Sequence, residues 1–350
     1  MKIVQTLVVR DEADIVDAQI AYHLNAGVDF VIATDHQSTD GTTEMLESFA
    51  RDGYLRRIRE QGEMHEARWR TSMARLAANE YHADWVINTD ADEFWVASRG
   101  SLREAFSAIP ETIGIVFALS RHFVPRPDDA RFFAERMTLR VSASAPLNDP
   151  TSPYRPHCKA AHRGDPRIVV RHGAHSAWSP GLKQLSDWYV ADVLHFPFRT
   201  CEQWERKGVR RATGDKPLGQ YVRAHRARQR GTVTQTFRTI AVDERGEQRG
   251  LDTGALTVDT RIRDALRELR TEDVVAGPAP GAKVRFRTPG AAGDLLHGIA
   301  PGDEMARLAE SAALRDAELV RLHRHLDELA ARTARVEKRF WARTRRGTAR

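Results

Sequence analysis

The sequence predicts an α/β fold: a mostly parallel sheet with helices on both faces, followed by a carboxyl-terminal helical extension. Two observations carry this. Strand-like and helix-like runs alternate through the first 120 residues, at a pace that means βαβ crossovers. The strand-like runs are also continuously apolar rather than alternating, as in strands covered on both faces.

The elements follow in order. Residues 2–9 are rich in Val, Ile and Thr and read as a strand. In "DEADIVDAQIAYHLNAG", Val16, Ile20 and Leu24 are spaced four apart and Gly27 ends the run, so it reads as an amphipathic helix. "DFVIAT" (29–34) is a second strand and "DHQSTDGT" (35–42) a polar turn. A helix follows with Met45, Leu46 and Phe49 on one face and Gly53 as its stop. Residues 64–82 read as a helix and "DWVINT" (84–89) as a strand. "SLRE" (101–104) is a capping box opening a short helix, and "IGIVFALS" (113–120) is a buried strand.

From 121 to 185 the pattern weakens, with "RIVVRH" (167–172) its one clear strand. "WYVADVLHF" (188–196) reads as a further strand, and Thr200 with Gln203 caps the helix after it. Residues 214–300 are basic, Gly-rich and poorly periodic, with one good helix near 259–270. Leu319, Leu322, Leu326, Leu329, Thr333 and Val336 then form a short heptad-like seam, and "KRFWARTRR" places clustered positive charge near the end. The expected organisation is a domain over 1–213, an accessory, partly irregular region over 214–300, and an amphipathic helix with a basic tail over 301–350. That last helix suits packing on its own chain or a homodimer, and the tail suits peripheral contact with an anionic membrane.

Composition sets bounds. The 350 residues are 41% hydrophobic and 29% charged, with a net charge of +6. This fits a globular protein with anionic ligands without requiring nucleic acid. Two cysteines make no disulfide framework. The opening apolar run is too short for a signal peptide and no later run approaches a membrane span. The expectation is a cytoplasmic protein, at most resting on the inner face of the membrane.

The chemistry concentrates in "WVINTDADEFW" (85–95). Asp90, Asp92 and Glu93 crowd the end of a buried strand, which is costly unless something positive pairs with them. In open parallel sheets ligands bind beyond the carboxyl ends of the strands. Three polar clusters belong there: Arg10–Glu12, Asp35–Asp40 and Asp90–Glu93. A hard divalent cation, Mg²⁺ or Mn²⁺, uses one or two carboxylates plus phosphate oxygens and would supply the missing charge.

"VVRDEADIVDAQIAYHLNAGVDFVIATDHQSTDGTTEML" together with "WVINTDADEFW" resembles family 2 glycosyltransferases of the GT-A fold, most closely the bacterial branch with an Asp-x-x-Ser-x-Asp-Gly-Thr loop. The likeness covers residues 1 to about 120 and continues in "VLHFPFRTCEQWERK" (193–207). It implies transfer of a sugar from a nucleotide-diphosphate donor to a saccharide or other hydroxyl acceptor, as in polysaccharide biosynthesis. Carried over, Val9, Arg10 and Glu12 lie by the nucleoside, and Asp35 binds its base or ribose. Asp90 and Asp92 hold the ribose and the metal–diphosphate, Asp92 as the direct metal ligand, and His195 approaches the metal or the diphosphate. His36 and Gln37 depart from the family's pattern, which leaves the nucleobase open.

Other residues enter on chemistry. Arg68 and Arg70 offer guanidinium forks for phosphate. Asp187, shortly before the His195 strand, is a candidate catalytic base beside Asp92. His157, Cys158, His162, His172 and His175 invite a zinc reading but meet no standard ligand spacing. "RHGAH" resembles a His-Gly-x-His segment of the same branch, so these histidines suit an acceptor pocket. A nucleotidyltransferase would need a Gly-rich loop after the first strand, and "VVRDEAD" has none. A non-catalytic nucleotide- or nucleic-acid-binding protein remains as the other alternative; the basic stretches match no nucleic-acid module.

Overall fold

A computed structural model describes residues 1–129, 131–142, 154, 157–211, 219–270, 284 and 286. The chain divides into two units, Met1–Val141 with Pro156–Leu295 and Ser142–Arg155 with Leu296–Arg350. The second lies almost wholly outside the described residues, and with it the expected heptad helix and basic tail.

In the first unit the elements are β1 (Ile3–Val9), α1 (Val16–Asn25), β2 (Phe30–His36), α2 (Thr42–Arg51), β3 (Leu55–Glu60), α3 (Glu66–Asn79), β4 (Trp85–Asp90), β5 (Glu93–Ala97), α4 (Leu102–Ser107) and β6 (Ile113–His122). There follow α5 (Phe133–Arg136), β7 (Leu139–Val141), β8 (Cys158–Arg163), β9 (Val169–Val170), β10 (Ala177–Trp178), β11 (Lys183–His195) and α6 (Cys201–Arg211). The described part closes with α7 (Gly219–Gln229), α8 (Val233–Arg238), α9 (Glu244–Asp252), β12 (Leu256–Val258) and α10 (Arg261–Leu269).

Eight strands form one sheet in the order β3-β2-β1-β4-β8-β6-β11-β5. β3, β2, β1 and β4 run parallel, as do β6 and β11; β8 and β5 run against them. The strand period of two sends alternate residues of β1 to opposite layers. Ile3, Leu7 and Val9 pack with Ile20 of α1, Leu46 of α2, Leu102 of α4 and Leu266 of α10, whereas Val4 packs with Met73 and Ala74 of α3. The fold is thus the predicted α/β architecture, with helices on both faces.

Three strands of the eight-stranded sheet were illegible for physical reasons. β3, "LRRIRE", is a charged edge strand, β5 follows the acidic turn without a break, and β8 carries a lysine and a histidine within its sheet positions. Helix α1 begins at Val16 rather than near Asp11. Asp11 has a left-handed backbone (φ 52°), and the acidic residues before Val16 bind side chains of α6 and its approach. The region expected to be irregular is largely helical in its described part: α7 and α8 pack Tyr221, Ala224, Ala227 and Phe237 around Phe198 and Trp204. Its periodicity hides because few of those helix positions are apolar.

Candidate functional site

Sheet register assembles the site. Val8 pairs with Asp90 and Val9 with Asp35, so the carboxyl ends of β1, β2 and β4 deliver one rim. His195, the last residue of β11, pairs with His122 of β6 on one side and Glu93 of β5 on the other. The Asp90–Ala91–Asp92 turn is pinned there by the Phe196 N–H, which donates to the Asp92 carbonyl at 2.8 Å.

The positive charge beside these carboxylates comes from the chain itself, which corrects the expectation that only a metal could supply it. Lys159 of β8 is 1% exposed, with Nζ 2.7 Å from Asp90 Oδ2 and 2.8 Å from Glu93 Oε1. Arg70, wholly buried in α3, donates to Asp90 Oδ1 and holds Glu66 at 2.8 Å. Beyond the turn, Lys207 of α6 stands 2.7 Å from Asp92 Oδ2 and 2.8 Å from Glu12. Buried Arg199 donates to Glu12 and Asp14 and approaches Asp92 at 3.9 Å. His195 Nε2 lies 3.5 Å from Asp92 Oδ1.

Two networks therefore flank the turn, each with three carboxylates to two full cations: Glu66, Asp90 and Glu93 around Arg70 and Lys159, and Glu12, Asp14 and Asp92 around Arg199 and Lys207. Burial raises the Asp90 and Asp92 pKa values, but the opposing cations outweigh it. Lys159 and Arg70 hold Asp90, and Lys207 and His195 hold Asp92, well below the usual carboxylate range. For Glu93, burial wins over Lys159 and the pKa is raised.

All four oxygens of Asp90 and Asp92 thus face a cation or an imidazole. As they stand, the two carboxylates do not fit a hard ion placed between them, which needs open oxygen ligands.

The other predicted residues separate. Glu12 joins the network, and Arg10 lies half-buried beside it in sequence. Asp35 is 2% exposed and shapes its own loop: it accepts from Ser38 N–H at 3.2 Å and Thr43 Oγ1 at 2.6 Å, with Arg57 at 3.4 Å. Arg68 points elsewhere, into an open groove of about 900 Å³ with Thr71, Arg75, Arg171 and His172. Its neighbour Arg70 is the one that meets the acidic turn. Asp187 sits eight residues before His195, in the irregular stretch of β11, and by register its backbone lies near the level of Val116, roughly 20 Å down the sheet from this rim. Its side chain lies outside the described residues.

The histidines resolve differently from the local zinc reading. His162 is buried with Nδ1 on the Arg163 carbonyl, His172 pairs with Glu66, and His175 bonds the Cys158 carbonyl. His157 instead joins His122 and His195, with one ring nitrogen of each within 4.8 Å of the others. Burial, then the neighbouring His122, His175 and Lys159, pushes the His157 pKa well down.

Sequence reading missed Lys159, Arg199, Lys207, His122 and the role of Glu93. One signal was present: Gln203, Trp204 and Lys207 repeat at helical spacing, and all are buried. A lysine on the buried face of a helix must meet a carboxylate.

Among the described residues no helix is long and apolar enough to cross a membrane. No curated protein sequence matches the chain. Among solved structures, S. aureus TarS (1-349) is similar at 15% identity, covering 66% of this chain and 73% of that one, with a TM-score of 0.29. GalNAc-T7 with UDP, GalNAc and Mn²⁺ is similar at 16% identity, covering 65% and 48%, with a TM-score of 0.37. At such identities and TM-scores neither likeness bears on what this chain binds. The matching sequence family is not the family 2 type that the motifs resemble. Residues 4–127, which supply Val9, Asp35, Asp90, Asp92 and His122, match the model of glycosyltransferase family 92, and that match supports a glycosyltransferase.

Proposed function

We infer that the chain transfers a sugar from a nucleotide-diphosphate donor to a hydroxyl acceptor at the rim formed by the carboxyl ends of β1, β2, β4 and β11. The observation that carries this is the register that sets Val9, Asp35, Asp90, Asp92 and His195 along one edge, within or beside the segment matching a glycosyltransferase family. In this reading the nucleoside lies against the end of β1 and the Asp35 loop, and the diphosphate faces the Asp90–Asp92 turn.

Breaking the sugar–oxygen bond leaves charge on the nucleoside diphosphate, and stabilising that charge is the main catalytic task. The two networks bring more carboxylates than cations to the turn, so a diphosphate approaching it meets net negative charge. Arg70, Lys159, Arg199 and Lys207 neutralise most of it and hold the turn rigid. Asp90 and Asp92 offer no open oxygen to the Mn²⁺ or Mg²⁺ of the sequence-based expectation, so the compensating charge at the turn is that of these four side chains.

The test is a thermal-shift and turnover screen of nucleotide sugars with and without Mn²⁺. A donor is expected to raise the melting temperature by mass action. Asp92→Asn is expected to abolish turnover with the fold retained, since Lys207 keeps Glu12 as a partner. Full turnover in that variant, or no response to any nucleotide sugar, would contradict the reading.

A further inference from the structure

The sheet order β8-β6-β11 sets three strand ends side by side, and each delivers one histidine to the same place. His122 closes β6 and His195 closes β11, in register with one another. β8 runs the other way, so the residue before it, His157, comes to the same end; its carbonyl accepts from the Ser120 N–H at 2.9 Å. His122 Nδ1 and His195 Nδ1 face each other at 3.0 Å, and ring nitrogens of all three residues converge within 4.8 Å. Two ligands about 2.1 Å from one ion, at about a right angle to each other, stand about 3.0 Å apart. A modest closure of the third ring would complete a three-nitrogen set.

We propose that His122, His157 and His195 form a transition-metal site, with Asp92 as the carboxylate that orients His195 from behind rather than as a ligand. The two nitrogens of His195 face opposite ways. Nε2 points to Asp92 Oδ1 at 3.5 Å, which favours the proton on Nε2 and leaves the Nδ1 lone pair facing His122. A carboxylate behind a ligating imidazole is the common outer-shell arrangement of metal sites.

The chemistry selects the ion. Imidazole ligands suit Zn²⁺, Co²⁺, Ni²⁺ and Cu²⁺, whereas Mg²⁺ wants oxygen. The oxygens nearby are taken, those of Asp90 by Arg70 and Lys159 and one of Asp92 by Lys207. Access remains, since His195 keeps 17% of its side chain exposed. The site stands on this geometry whether or not sugar transfer is the reaction.

The test uses the full chain, stripped with a chelator and titrated with Co²⁺ alone. Bound Co²⁺ is expected at one ion per chain, with a visible d–d band that Zn²⁺ abolishes and a large excess of Mg²⁺ leaves in place. His157→Ala and His195→Ala, at half-exposed positions, are expected to weaken Co²⁺ binding at least about 10-fold while circular dichroism stays unchanged. Asp92→Asn is expected to weaken it by about 10-fold, as loss of an outer-shell carboxylate does. Asp90→Asn is expected to leave it unchanged. Absence of a stoichiometric band, unaltered affinity in a folded His157→Ala, or a loss in Asp90→Asn equal to that in the histidine variants would overturn the proposal. The last outcome would move the ion to the carboxylates. Because no donor or turnover enters the assay, its failure is separable from failure of the sugar-transfer reading.

Discussion

Replacing Lys159 by methionine keeps most of the buried aliphatic stem and deletes one charge. In the structure that charge serves Asp90 at 2.7 Å and Glu93 at 2.8 Å. Asp90 is 32% exposed at its side chain and retains Arg70, so it loses only part of its compensation. Glu93 is 1% exposed and keeps the Asp90 N–H at 3.0 Å and the neighbouring His195, but no full cation among the described residues beside it. A buried carboxylate left that way takes up a proton instead of staying charged. At about pH 7, protonating a carboxyl whose unfolded pKa is about 4.3 costs about 3.5 kcal/mol, at about 1.36 kcal/mol per pH unit; because burial already raises the Glu93 pKa with Lys159 in place, this is the ceiling of the deficit. That agrees with the roughly 3–5 kcal/mol found when one partner of a buried pair is removed.

The pH dependence carries a definite sign. In the variant the folded pKa of Glu93 lies above its unfolded value, so the native state holds the extra proton. The associated stability is present in acid and lost as pH rises through the folded pKa. The deficit, at most about 3.5 kcal/mol near pH 7, should therefore shrink to at most about 1 kcal/mol near pH 5. Urea unfolding of wild type and Lys159→Met at both pH values measures it. Adding Glu93→Gln should recover about 2 kcal/mol near pH 7, because the orphaned charge is gone. A deficit that is flat with pH, or a double variant no better than the single one, would show that Lys159 does not neutralise Glu93.

Two further outcomes are expected. Asp35→Ala should weaken nucleoside diphosphate binding by on the order of 1–3 kcal/mol, since it removes the acceptor for Ser38 and Thr43 that shapes the loop; unchanged affinity by calorimetry would refute it. His23 and His162 are held neutral by burial, with pKa values pushed down to about 4. The unfolded chain protonates first, so their contribution is present above about pH 6.5 and lost as pH falls toward 4. His162→Gln should flatten the fall in urea midpoint over that interval, and a slope identical to wild type would count against the assignment.

What the sequence determined by itself was the half of the molecule written in local pattern. Continuous apolar runs and four-residue spacing are properties of short windows, so β1, α1, β2, α2, α3, β4 and β6 were all legible. The acidic turn could be placed at a strand end for the same reason. Its partners could not, because parallel strands are joined by long crossovers and their neighbours lie far away in the chain. Lys159 is 69 residues from Asp90, and Lys207 is 115 residues from Asp92. Local charge counting therefore left those carboxylates unpaired when the fold pairs them. The histidines show the same limit. Five of His and Cys type within nineteen residues suggested a local metal site, yet only His157 joins a cluster, with residues 122 and 195. Strand order decided that, since hydrogen-bonded neighbours in a sheet bring together residues that sequence distance keeps apart.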